Sequence, residues 1–388
     1  MGVKIQEIFT EYYSEFEATH PLPYYVRKAA HKIIACRTAS LGGHVQECPE
    51  GHYQRVWYNS CKHRACNQCS GIQVENWLDK QTARLLSTDH YHVIFTIPHQ
   101  LNELWLLNVE VMTSLFFSSV QKTLLGILRS KRFYGVEPGM IATLQTWGET
   151  LFLHPHIHCL VTGGGLTEEG TWKSKEGYLV HVETLKEVFR GKFLDGLHNL
   201  AYQGKLKIMS GVEFYQVHQL LRKLRKKNWN VHICERYSHG QGVITYLARY
   251  IRGGPISNKR LISCKDNKVR FFYDDNQDKN ERNIPQRKVM ELANEEFIQR
   301  FLLHIPKPGT KVVRFYGLYA STKSQELEKC RELLGQAPLE EVENLKWQDY
   351  CEKQRKEHPE VCPLCGARLM NGGTILPERQ IKKKKIAA

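Results

Sequence analysis

Leu153-His154-Pro155-His156-Ile157-His158-Cys159-Leu160-Val161 alternates imidazoles with apolar residues. A period of two is the strand period, so the spacing predicts a β-strand that carries His156 and His158 on one face. Two imidazoles on one face can share a cation. Two nitrogens plus one further ligand leave coordination positions open, which suits polarising a phosphoryl oxygen better than closing a structural site. Glu149 and His154 compete for the third place, with Gln145 behind them. Strand parity favours His154, whereas Pro155 strains the strand there and Gly148 permits a bend that returns Glu149 to the site. His90-Tyr91-His92 has the same spacing but opens a strand with no nearby acid, and it reads as structural. Buried, hydrogen-bonded histidine pairs are the commoner outcome for an isolated H-x-H. What separates His156 and His158 from that case is a nucleophile further along.

Working outward, residues 140–161 read as two strands around Gly148, and His92–Ile97 as another strand stopped by Pro98. Helices fit Ile72–Leu86, a long run Leu101–Arg129, and stretches near 183–200 and 214–227. Another helix fits 240–252, closed by Gly253-Gly254-Pro255. Further strands fit Val269–Tyr273 and Lys311–Tyr319, while residues 1–35 read as helical, broken at Pro21-Leu22-Pro23. The expected class is α+β. Thr162-Gly163-Gly164-Gly165 lacks the Lys-Ser/Thr of a phosphate-binding loop and reads as a turn.

In the helix expected at 240–252, Tyr246 and Tyr250 stand at i and i+4, so both phenols share one helix face, with Arg249 and Arg252 close by. A phenol is a poor nucleophile near neutral pH because its pKa is about 10. A cation on a scissile phosphate and adjacent arginines would offset the developing charge. Taken alone, such a pair is more often packing.

Twelve cysteines cluster toward the two ends of the chain. Cys66-Asn67-Gln68-Cys69 is a C-x2-C knuckle, and Cys48, His52 and Cys61 lie a short hairpin away, around the β-type run 53–58. The expected structural zinc set is Cys48, His52, Cys66 and Cys69, with Cys61 as the main competitor; Cys36, His44 and His63 rank lower. Cys362-Pro363-Leu364-Cys365 has knuckle spacing without an obvious partner pair and is a second, weaker zinc candidate.

Lys plus Arg number 55 against 40 Asp plus Glu in 388 residues, a net charge of +15 that favours a polyanionic partner such as nucleic acid. Arg222, Lys223 and Lys226 crowd the polar side of the 214–227 helix, and Lys382–Lys385 form a basic tail, both read as phosphate-seeking. The most apolar stretch, Leu104–Val120, is interrupted by Glu110, so no membrane span is expected. The first residues lack a signal-peptide pattern, and a cytoplasmic location, at the nucleoid when DNA is bound, is the expectation.

Cys36-Arg37-Thr38-Ala39-Ser40-Leu41-Gly42-Gly43-His44, the cysteine cluster, Leu153–Val161 and Tyr246–Ser257 together resemble the HUH-type tyrosine transposases of rolling-circle insertion sequences, over about residues 22–330. The resemblance implies a helical zinc-binding unit (1–87) and an HUH palm, an antiparallel sheet with flanking helices (88–275). A DNA-contacting remainder of the core (276–345) and a segment with the second knuckle and basic tail (346–388) would follow. It implies Mg²⁺ or Mn²⁺ on His156 and His158, structural Zn²⁺, and attack by Tyr246 and Tyr250 on DNA phosphates. Each attack would leave a 5′-phosphotyrosine and a free 3′-hydroxyl. The partners implied are single-stranded DNA at insertion-sequence ends and target DNA. Glutamine is frequent in that family where Glu149 stands, and either side chain presents an oxygen to a cation. The chain departs from the family at Gly51-His52, where a second cysteine often follows the first. A replication initiator or relaxase with the same chemistry, and a non-catalytic zinc-finger nucleic-acid-binding protein, are the alternatives.

Overall fold

The computed structural model describes all residues except 1, 175, 176, 178, 238, 239, 241, 243, 246, 249–251, 283, 356, 357 and 379–388, together with the side chains of 235 and 236. Helices α1 (Ile5–Thr19) and α2 (Tyr24–Ala35) lead into a hairpin of β1 (Gly43–Glu47) and β2 (Gln54–Tyr58), followed by α3 (Gly71–Arg84). Then come β3 (His90–Thr96), α4 (Asn102–Leu107), α5 (Val109–Arg129), β4 (Gly139–Trp147) and β5 (Leu153–Thr162). A small ribbon of β6 (Gly164–Leu166) and β7 (Trp172–Ser174) precedes α6 (Val182–Tyr202), α7 (Phe214–Lys226) and β8 (Val231–Tyr237). The remainder comprises β9 (Leu261–Lys265), β10 (Lys268–Lys279), β11 (Pro285–Ala293), α8 (Asn294–Leu303), β12 (Val313–Gly317), α9 (Ser324–Leu333), α10 (Trp347–Arg355) and β13 (Met370–Ile375).

The central sheet has five strands in the order β12-β4-β5-β3-β8, every pair antiparallel, which gives the expected α+β class. Alternation divides its residues. Val93, Phe95, Ala142, Leu144, Ile157 and Cys159 point into the main core beneath α5, α6 and α7. The opposite face carries His92, Ile94, Thr143, Gln145, His156, His158 and Leu160, as the pairings Gln145↔His156↔Thr96 and Thr143↔His158↔Ile94 require. Leu160 and Ile141 on this second face share a cluster with Ile244, Leu247, Leu318 and Tyr319. Ile244 and Leu247 therefore pack on the face of the sheet that carries the histidines.

The long helix expected over 101–129 breaks at Asn108 (φ −132°, ψ 33°). The Asn108 amide donates to the Leu104 and Lys207 carbonyls at 3.0 and 2.8 Å and accepts the Lys207 N–H at 2.8 Å, competing with the helix for its own backbone. Helix α5 is long and apolar enough to cross a membrane, yet 61% of its most apolar window is buried inside the protein, against the sheet. Strands β8 and β11, and the outer half of β10, had no assignment from the sequence. The outer half of β10 is a charged ribbon without an apolar period, tied by Lys288 to Asp275 at 2.9 Å and to Asp278 at 2.7 Å. Cores also interleave across the expected linear units. Ile5, Phe9 and Ile33 share a cluster with Phe271, Phe297 and Phe301, and β10 runs through the 275/276 boundary. Thr162–Gly165, expected as a turn, is a turn at Gly163 alone: Thr162 ends β5, and Gly164 and Gly165 already belong to β6.

Candidate metal centres and the histidine face

Cys36, Cys61, Cys66 and Cys69 bring their sulfurs within 4.8 Å of one another. The Cys61 and Cys69 sulfurs are 3.6 Å apart. That is near the S···S edge of about 3.8 Å in a tetrahedron with Zn–S bonds of about 2.3 Å, and far from the disulfide length of about 2.05 Å. The donor set fits a closed tetrahedral zinc, and Cys36, Cys66 and Cys69 are buried. This corrects the set expected from spacing. Cys66 and Cys69 pair with Cys36 and Cys61, while Cys48 and His52 lie elsewhere, next to Cys365. Hairpin geometry gives the reason. Cys36 precedes β1 and Cys61 follows β2, so both stand at the hairpin base, whereas Cys48 and His52 occupy its tip. Five residues of strand separate base from tip by roughly 17 Å. His44 and His63 are in neither set.

On the central sheet, His156 Nδ1 lies 2.6 Å from the His154 carbonyl and donates to it, which leaves Nε2 with its lone pair. His158 Nε2 is 3.1 Å from Gln145 Oε1, and His158 Nδ1 is 2.9 Å from His92 Nε2. The Gln145 amide nitrogen donates to the Trp147 carbonyl at 3.2 Å, fixing Oε1 toward His158. The rings of His156 and His158 are 4.7 Å apart. Burial drops the His156 imidazole from its ordinary 6.5 to about 4. Burial, with the charges of His156 and His92 nearby, holds His158 well below 6.5. Both are neutral at pH 7, the form that binds a metal. Beside them the Thr143 hydroxyl is fully buried and has no hydrogen-bond partner among the described residues.

The expected third ligands fare differently. Glu149 is 3.2 Å from Arg260 in an ion pair, and Arg260 also donates to the Glu149 carbonyl. The His154 ring stands 5.1 Å from that of His156 but is exposed. Among the described residues, His154, His156, His158 and Glu149 supply no set of three whose ligand atoms all lie within 4.8 Å. Gln145 is the side-chain oxygen that touches His158, and register could have found it, because it is the residue directly opposite His156. His92 was also missed. The H-x-H at the start of β3 divides: His90 is structural, bonded to the Thr88 carbonyl at 2.9 Å and the Tyr319 hydroxyl at 2.8 Å, whereas His92 orients His158.

Tyr246, Tyr250 and Arg249 lie outside the described residues. Their neighbours are on the histidine side, since Ile244 and Leu247 pack with Leu160, and Gly240 approaches His90 so closely that an added Cβ would stand 2.8 Å from the imidazole. Gly253 and Gly254 take φ +105° and +76°, and the Gly253 N–H donates to the Arg64 carbonyl at 2.9 Å, in the loop between Cys61 and Cys66. Arg252 thereby enters a groove of about 600 Å³ together with Trp147, Arg260, Phe272, Tyr273 and Arg287. Arg222, Lys223 and Lys226 are exposed on α7, in the helix layer on the other side of the sheet. They are not part of this groove.

Residues 139–326 match the family described as "Putative transposase", and residues 8–97 match "Transposase zinc-binding domain", a family of insertion-sequence transposases of the IS91 type. The chain is 34% identical over 375 residues to a Sinorhizobium fredii protein named "Putative transposase y4qJ", covering 94% of this chain and 93% of that one. It is 28% identical over 353 residues to "Transposase for insertion sequence element IS801" of Pseudomonas savastanoi pv. phaseolicola, covering 89% and 82%. No solved structure matches. With a zinc-binding amino-terminal unit, a histidine-bearing antiparallel sheet and full-length similarity to these proteins, the chain belongs to the IS91-type family of rolling-circle insertion-sequence transposases.

Proposed function

We propose that this transposase has an HUH palm and nicks single-stranded DNA at the ends of its element by tyrosine attack. The observation that carries the reading is the histidine face. His156, His158 and Gln145 converge there, and the chain flanking Tyr246 packs on the same side of the same sheet. His156 Nε2, His158 Nε2 and Gln145 Oε1 would hold Mg²⁺ or Mn²⁺ with the His158 proton moved from Nε2, where it is donated to Gln145 Oε1, to Nδ1, where it is donated to His92 Nε2, and with the Thr143 hydroxyl in reach of a bound water. Such a cation supplies charge that polarises the scissile phosphoryl oxygen.

Tyr246 or Tyr250 gives up its phenolic proton and attacks phosphorus. A P–O bond to tyrosine forms, the bond to the 3′ oxygen breaks, and that oxygen takes a proton and leaves as a hydroxyl. The ester energy is retained, so the 3′-hydroxyl of the same or another strand can reverse the step and transfer the DNA without ATP. The groove beside the site suits a single strand. Trp147, Phe272 and Tyr273 offer surfaces for stacking, and Arg252 offers positive charge for a phosphate, while Arg260 and Arg287 are paired with Glu149 and Asp274 in the same groove.

The test is a nicking assay with purified full-length protein, Mg²⁺ or Mn²⁺, and labelled single-stranded element ends. The expected result is an SDS-resistant protein–DNA adduct that disappears in Tyr246→Phe/Tyr250→Phe and on chelation. Binding without any adduct, unchanged by the tyrosine substitutions, would leave a non-catalytic DNA-binding protein and sink the proposal.

A further inference from the structure

The knuckle Cys362-Pro363-Leu364-Cys365 has no partner pair nearby in sequence, but the fold supplies one from the opposite end of the chain. Strand β13 adds to the free edge of β1, antiparallel, with pairs from Gly43↔Ile375 to Glu47↔Met370. This addition carries the knuckle to the tip of the β1–β2 hairpin, where Cys48 and His52 flank a tight turn closed by the Gly51 N–H on the Cys48 carbonyl at 3.0 Å. Ligand atoms of Cys48, His52 and Cys365 all lie within 4.8 Å of one another. Cys362, the other half of the knuckle, is buried with Cys48 and Leu369 in a small cluster of its own, against Tyr53 and Ala367.

Distances decide between the chemistries open to such sulfurs. The Cys48 and Cys365 sulfurs are 3.4 Å apart. A disulfide needs about 2.05 Å, and a zinc tetrahedron with bonds of about 2.3 Å sets sulfurs about 3.8 Å apart. The backbone also has knuckle form: the Gly366 N–H donates to the Cys362 carbonyl at 2.9 Å, and Gly366 takes φ +74°, which a side chain would resist.

We propose that Cys48, His52, Cys362 and Cys365 form a second structural zinc site, separate from the Cys36 set, that clasps the carboxy-terminal segment to the amino-terminal hairpin. Three thiolates and one neutral imidazole make a closed site with a net charge of −1. The clasp serves more than its own cluster. Upstream of the knuckle, α10 lies on the same unit: Trp347 packs edge-on against Trp57 with ring centres 5.4 Å apart, and Lys353 pairs with Glu75 at 2.9 Å. Tyr350 of α10 lines the 600 Å³ groove. Zinc at the clasp therefore holds one wall of that groove in place.

The test is zinc stoichiometry of the full-length protein by elemental analysis and native mass spectrometry, joined to amide exchange. Wild type is expected to hold two zinc ions per chain and Cys362→Ser/Cys365→Ser one. In that variant exchange should rise over residues 359–378 and stay unchanged over 90–162. His52→Cys should keep two. One zinc in wild type, or two in the double variant, overturns the proposal. If the double variant does not fold, the cobalt-loaded wild type answers the same question. Absorption from both a four-thiolate centre and a centre of three thiolates and one imidazole supports the clasp, and a four-thiolate spectrum alone refutes it. Neither readout depends on DNA cleavage.

Discussion

At the residue scale, the third place on the proposed catalytic metal turns on which oxygen faces the imidazoles. Gln145 Oε1 is 3.1 Å from His158 Nε2, whereas the Glu149 carboxylate is held by Arg260 at 3.2 Å. Gln145→Ala should therefore weaken Mn²⁺ binding and adduct formation by about 100-fold or more, and Gln145→Glu should retain both, since it keeps an oxygen in place. His92→Ala leaves the ligands but frees the His158 ring, and should cost about 10- to 100-fold in metal affinity, the usual range for groups that only orient a ligand. Titration of Mn²⁺ by electron paramagnetic resonance, beside adduct rates, separates these effects. A larger loss for Glu149→Gln than for Gln145→Ala would return the third place to Glu149. The His156–His158 couple was legible in sequence because period two needs no knowledge of neighbours. Gln145 and His92 were not, because both reach His158 across strand pairs whose register only the assembled sheet defines.

At the scale of elements, sequence reading succeeded where one segment carries its own period and failed where contact depends on a partner. Helices α1, α2, α3, α6 and α7 follow from their apolar spacing, and β4 and β5 from alternation around Gly148. The zinc sets did not follow, because a hairpin brings together residues outside its base and parts those at its tip. The segment after Gly240 shows how closely elements can be fitted. The His90 ring is fixed at both nitrogens, so it cannot retreat from a Cβ 2.8 Å away. Gly240→Ala must shift the backbone of the tyrosine-bearing segment instead, at a cost of roughly 1–3 kcal/mol for overpacking. Adduct formation should fall about tenfold or more while zinc content and Mn²⁺ affinity stay at wild-type values. An unchanged rate would mean that this contact does not position the proposed tyrosine nucleophile.

At the scale of the whole molecule, two cores and the histidine face are tied together by buried neutral imidazoles, and that makes stability depend on acidity. His304 is the case free of any metal: Nε2 donates to the Leu151 carbonyl at 2.9 Å, and Nδ1 accepts from the Thr146 hydroxyl at 3.1 Å. Burial lowers it from 6.5 to about 4, and burial lowers His92 and His156 equally far. The sign follows from proton counting. Above pH 6.5 these rings are neutral in both folded and unfolded chains and contribute no pH dependence. Between 6.5 and about 4 the unfolded chain binds protons that the folded chain refuses, so stability falls as pH falls. Each such histidine costs roughly a factor of ten in the folding equilibrium per pH unit, or on the order of 3 kcal/mol over the window. Urea midpoints measured between pH 7.5 and 5 should therefore decline steadily below 6.5. His304→Gln keeps a donor and an acceptor without a titrating ring, and should flatten that decline. A slope unchanged in this variant would show that His304 accepts its proton in the folded state, which the two hydrogen bonds and the closed surroundings of the ring oppose.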